Sequence, residues 1–150
     1  MNLLVIDVQG FNIENNKFIT KELAAYDGDK LCHYIFKAPF DIKYLPSDLH
    51  KQALWLMKNH HCIDWNEGFT PLHKFVEIIK NLTEKVDHVY VKGNEKAKYI
   101  RQYSLKPVFE LDEDPKIKKE DPRCFYHSKS PSICALTNVY FFYNNCLMIE

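Results

Sequence analysis

A chain of 150 residues with 46% hydrophobic and 14% aromatic side chains has the size of one domain, read here as residues 1–150, and enough apolar surface to offset its ordering entropy. Its 20 basic and 20 acidic residues cancel to a formal charge of zero, which excludes polyanion binding by a global field and leaves any such contact to a local patch. No stretch approaches the roughly 18 apolar residues of a membrane span, so no membrane contact is expected. Five cysteines, an odd number without framework spacing, suit a reducing intracellular compartment, cytoplasmic or nuclear, better than a secreted scaffold. The apolar start Leu3-Leu4-Val5-Ile6 is cut by Asp7 without a basic flank or cleavage site, so it predicts a leaderless beginning.

In chain order, Leu3 to Val8 is a β-branched, almost wholly apolar run, the pattern of a strand buried on both faces. Phe18 to Tyr26 predicts a second strand, Asp27-Gly28-Asp29 a hairpin turn, and Lys30 to Lys37 a third strand stopped by Ala38-Pro39-Phe40. Pro46-Ser47-Asp48 opens a helix carrying Leu49, Ala53, Leu54 and Met57 at helical spacing, ending at His60-His61. Thr70-Pro71 has the form of an N-cap followed by proline, ahead of an amphipathic helix marked by Leu72, Phe75, Val76, Ile79 and Leu82. Val86 to Val91 is a further strand and Glu95 to Tyr103 a further helix. Lys106 to Arg123 holds three prolines and mixed charges, an irregular crossing with a short strand at Val108-Phe109-Glu110-Leu111. Ala135 to Tyr143 is a closing helix by its place in the order, although its residues also suit a strand. Three consecutive strands followed by βα alternation predict an α/β fold with a mixed sheet.

Cys124-Phe-Tyr-His127 with Cys134 gives C-x2-H-x6-C in one proline-containing loop, a spacing that lets two thiolates and an imidazole converge on a tetrahedral zinc. Three ligands leave a fourth position to be filled. The same cysteines also suit the role of small buried hydrophobes, with His127 on the surface.

These residues, with Cys134-Ala135-Leu136-Thr137-Asn138-Val139, resemble the zinc-binding C-terminal part of the Maelstrom domain, of the DEDDh exonuclease lineage in the ribonuclease H-like fold. Val5-Ile6-Asp7-Val8-Gln9 resembles the first catalytic strand of that lineage. His61-Cys62-Ile63 stands where its exonucleases often carry His-Gly-Ile. The resemblance implies a mixed sheet flanked by helices, with a zinc-binding loop before the last helix. It also implies Glu22, in Lys21-Glu22-Leu23-Ala24, as the fourth ligand beside Cys124, His127 and Cys134, around a structural zinc.

Nucleases of this lineage hold two divalent ions with four carboxylates, and a histidine serves as base. Here Asp7 keeps the first acid, but Gln9 stands where the second belongs. The third is expected just after Val91-Lys92-Gly93, where Glu95 is the nearest acid. The last histidine and acid fall on Ile133 and Asn138. The resemblance therefore implies that most of the catalytic set is lost, with Asp7 and Glu95 as the remaining catalytic candidates and Mg or Mn required only by a residual nuclease. Asp7 is equally readable as a turn-forming carboxylate at a strand end. His60, His61 and His73 are candidate metal or acid–base groups, or ordinary structural histidines.

Lys92, Lys96, Lys98, Arg101 and Lys106, interleaved with Tyr90, Tyr99 and Tyr103, form a local basic cluster at a helix start, a pattern that can hold phosphates and stack bases. It can also be a solvated helix face. Lys92, Lys96 and Arg101 are the nucleic-acid-binding candidates. The function expected first is a zinc-containing domain that binds RNA or another single strand, a degenerate exonuclease. The alternatives are a ribonuclease with a non-standard site, and a protein-interaction module, which zero net charge favours.

Overall fold

The structure is a computed structural model that describes residues 2–14, 17–111 and 134–147. Five strands, β1 (Leu3–Glu14), β2 (Lys17–Tyr26), β3 (Leu31–Ile35), β4 (His88–Lys92) and β5 (Val108–Leu111), join in one sheet of order β3-β2-β1-β4-β5. β2 is antiparallel to β1 and β3, while β1 pairs parallel with β4 and β4 with β5. Among the described residues four α-helices accompany the sheet: α1 (Ser47–Asn59), α2 (Phe75–Glu84), α3 (Asn94–Arg101) and α4 (Ala135–Phe142), the last running on into a π-type turn over Tyr143–Leu147. The fold is α/β, a five-stranded mixed sheet flanked by helices, and its strand order is compatible with a ribonuclease H-like layout.

The central strand is apolar on both faces because both are covered. Leu4, Ile6 and Val8 pack with Leu23, Ala25, Val89 and Val91 against Phe75 and Ile79 of α2 and Ala97 and Ile100 of α3. Val5 and Ala24 on the opposite face meet Ala135, Val139 and Phe142 of α4. Further along that face Phe11, Ile13 and Ile19 pack with Ala53 of α1, Leu45 and Trp65.

β1 is longer than the Leu3–Val8 run predicts. Its second half is carried by Phe11 and Ile13, buried between exposed Asn12 and Glu14, so a period-2 signal replaces the apolar run. The two halves meet at a β-bulge: Gln9 pairs with Glu22 but Gly10 with Thr20, leaving Lys21 as the extra residue. A Cβ at Gly10 would collide with the Ile19 carbonyl oxygen, so the close approach of β2 requires glycine there.

One expected helix start differs. Thr70 does not cap α2: it forms a parallel bridge with Phe36, its carbonyl accepting from Lys37 N at 2.8 Å. A 3-10 turn (Leu72–Lys74) intervenes before α2 begins at Phe75. α1 begins at Ser47, as the Pro46-Ser47-Asp48 start predicts, with no side chain capping its first turn. Cys124, His127 and Ile133 lie outside the described residues. Among the described residues no helix is long and apolar enough to cross a membrane.

Candidate functional site

Strand alternation places Asp7 and Gln9 side by side on the α4 face of β1. Asp7 is buried, with 1% of its surface exposed, and its carboxylate takes three donors. Gln9 Nε2 donates to Oδ2 at 3.2 Å, Asn138 Nδ2 donates to the same oxygen at 2.9 Å, and Lys96 Nζ donates to Oδ1 at 2.9 Å. Asn138 comes from the first turn of α4, where its backbone N–H donates to Cys134 O at 2.9 Å. Lys96 comes from the first turn of α3, and its side chain keeps 30% exposure. One carboxylate, one ammonium and two neutral amides from β1, α3 and α4 therefore meet with no net charge.

His60, just past α1, lies within electrostatic reach of this group. Burial pushes its imidazole pKa down, Lys96 pushes it further in the same direction, and Asp7 opposes them. His61 is fully buried, its edge against Phe11 at 4.9 Å, and its Nδ1 accepts from Ile63 N at 3.2 Å. Accepting at Nδ1 identifies a neutral ring protonated on Nε2. His73 lies elsewhere, in the 3-10 turn beside Lys37 and Pro39.

Glu95 does not reach Asp7. Its side chain is 92% exposed and lies 4.0 Å from Lys98 on the outer surface of α3. The adjacent residue, Lys96, is the one that turns inward.

A second polar cluster sits one helical turn away on the same face. Glu22, fully buried on β2, accepts from Ala135 N at 3.0 Å through Oε1 and from His33 Nε2 at 2.7 Å through Oε2. Cys134 Sγ lies 4.0 Å from Oε2. The carboxylate thus faces the free N–H groups at the start of α4, where the helix dipole favours a negative charge. Glu22 and Cys134, half of the expected zinc set, meet here. Their carboxylate and thiol are both zinc donors, so the pair fits that metal. Cys124 and His127 lie outside the described residues, and among the described residues no group of three or more His, Cys, Asp and Glu is arranged to hold a metal ion. The sequence reading missed His33. It pairs with Ala24 across β2 and β3, which puts it diagonal to Glu22 on the same face.

The basic cluster is dispersed. Arg101 donates from both Nε and Nη2 to Val108 O, at 3.1 and 3.0 Å, fastening α3 to β5. Lys96 is engaged by Asp7, and Lys106 Nζ donates to Val86 O at 2.7 Å. Lys92, at the end of β4, is half-buried. The interleaved tyrosines are packing residues rather than an open stack: Tyr99 lies tilted and Tyr103 edge-on against Phe75, and the Tyr99 hydroxyl meets Thr20 Oγ1 at 2.9 Å. Burial pushes the Tyr99 phenol up to about 12.

No protein-family model matches the chain, and no curated protein is significantly similar to it.

Proposed function

We propose that this chain is a ribonuclease H-like domain, resembling the Maelstrom branch of the DEDDh lineage, that binds single-stranded nucleic acid, RNA above all, without two-metal cleavage. The observation that carries the reading is the Asp7 cluster. An acidic nuclease site repels phosphate until divalent ions neutralise it, because its carboxylates outnumber any nearby cation. Here Gln9 and Asn138 are uncharged, and the Lys96 ammonium balances Asp7. The cluster carries no net charge, so it does not repel a polyanion that approaches the surface beside it without ions. With Gln9, Ile133 and Asn138 in place of acid, base and acid, the groups that would hold two ions and deprotonate water are missing from the motif positions.

Two further features support the lineage. Cys62 has a φ of +55°, the left-handed conformation that favours glycine, in the middle of the tripeptide that resembles His-Gly-Ile. Glu22 and Cys134, 112 residues apart, meet at the start of α4. A structural zinc held by Glu22, Cys124, His127 and Cys134 would tie β2 to the segment preceding that helix, contributing folding free energy.

The test is an assay of end-labelled RNA, single- and double-stranded, with Mg²⁺ or Mn²⁺ added. The reading expects retained single strand and no shortened products. A chelator-sensitive ladder that disappears in Asp7→Asn would overturn it.

A further inference from the structure

Arg101, Lys96 and the core tyrosines are committed to internal partners, so a binding surface has to be sought elsewhere. The outer face of α1 offers one. Lys51, Trp55 and Lys58 follow at intervals of four and three residues, which puts them on one stripe of the helix. All three are exposed, Trp55 at 56%. Lys51 and Lys58 form no ion pair among the described residues, and the one acid in α1 is Asp48, in its first turn. His60 lies beside the indole, ring centroids 6.3 Å apart and planes 24° from parallel, extending the aromatic surface toward the Asp7–Lys96 pair. The electrostatic influence of Lys96 and Asp7 on His60 is consistent with that continuity.

An exposed large aromatic flanked on both sides by unpaired lysines combines the two elements of sequence-tolerant single-strand recognition, a π-face for a base and cations for the backbone. The lysines are seven residues apart, about 10 Å along the helix axis, a span that flexible side chains can adapt to successive phosphates. We infer that α1 is the strand-binding face: one base stacks on Trp55, Lys51 and Lys58 take the neighbouring phosphates, and the strand continues past His60 toward Lys96. This inference rests on the single-strand binding proposed above and names the surface that performs it.

The chain contains two tryptophans, and Trp65 is buried at 1% exposure, its Nε1 donating to Phe40 O at 2.8 Å. Quenching of indole emission by a bound strand therefore reports on Trp55. The experiment titrates the full chain with a labelled oligouridine at low salt, following label anisotropy and indole emission together. A strand of equal length carrying abasic sites is titrated in parallel. Binding of the parent should quench the emission. Trp55→Ala should weaken binding roughly 10-fold, and Trp55→Phe should restore most of it. On the abasic strand the parent and Trp55→Ala should bind alike. Lys51→Ala and Lys58→Ala should each lower the salt slope by about one. Parent binding without quenching, matched by Trp55→Ala, would overturn the α1 surface while leaving single-strand binding intact. Absence of parent binding in the anisotropy signal would overturn both.

Discussion

Asp7 is buried, yet it remains compatible with a folded core because each of its oxygens is met: Gln9 and Asn138 on one, Lys96 on the other. Removing the ammonium leaves a buried carboxylate without its cation. Loss of one partner of a buried pair costs about 3–5 kcal/mol, and the 30% exposure of Lys96 moderates this to roughly 2–3 kcal/mol. Lys96→Met should therefore lower stability by that amount in denaturant unfolding, and Asp7→Asn with Lys96→Met should cost less than Lys96→Met alone. A double variant as unstable as the sum of the singles would show that the two groups are not coupled. Cys62 offers a second comparison at this scale. Its left-handed backbone disfavours any side chain, so Cys62→Gly should be more stable than Cys62→Ala by about 1 kcal/mol, although both remove the same buried thiol. Equal unfolding midpoints would refute strain at this position.

Among the elements, the bulged β1–β2 pair organises the rest. Lys21, the extra residue, is itself buried, and its ammonium donates to Trp65 O at 2.7 Å and to Glu67 O, bracing the segment between α1 and α2. Burial pushes its pKa down to about 8, with Glu67 and Asp64 opposing. Between about pH 8 and the unfolded value of 10.5 the unfolded chain holds more protons at this group, so its contribution to stability rises with pH through that window and is flat below it. Above pH 10 the raised pKa of Tyr99 acts in the other direction. Unfolding free energies at pH 7.5 and 9.5 should show the parent gaining relative to Lys21→Met; identical pH slopes would contradict the buried ammonium. The apolar runs made β1, β4 and the amphipathic helices readable, since burial on both faces or on one stripe leaves a local pattern. The bulge was not readable, because Lys21 beside Glu22 looks like a solvated pair and only the register across two strands shows both to be buried. The inward turn of Lys96 rather than Glu95 was hidden for a similar reason: neighbouring residues on a helix differ by 100° in direction, and only the packing of α3 on the sheet decides which points to Asp7.

At the scale of the whole molecule, two polar clusters on one sheet face grip the first turn of α4, Glu22 through Ala135 N and Asp7 through Asn138. The proposed zinc would reinforce the first of them. Elemental analysis of protein purified without chelator should give one zinc per chain, and Cys134→Ser should lower the unfolding midpoint more in added zinc than in its absence. Protein without zinc, or a loss indifferent to the metal, would remove that part of the account. The zinc set and the degenerate catalytic positions were suggested by short motifs, whereas the neutrality of the Asp7 cluster depends on residues 7, 9, 96 and 138 meeting in space, which no local pattern encodes. The central claim is that the chain binds a single strand without divalent ions, because the Lys96 ammonium already balances Asp7. It is tested most directly by the affinity for single-stranded RNA with no divalent ion added and again with Mn²⁺. The account predicts weak, salt-sensitive binding, with a dissociation constant on the order of micromolar or higher, unchanged by Mn²⁺ and without cleavage. Binding that appears only when Mn²⁺ is supplied would contradict it.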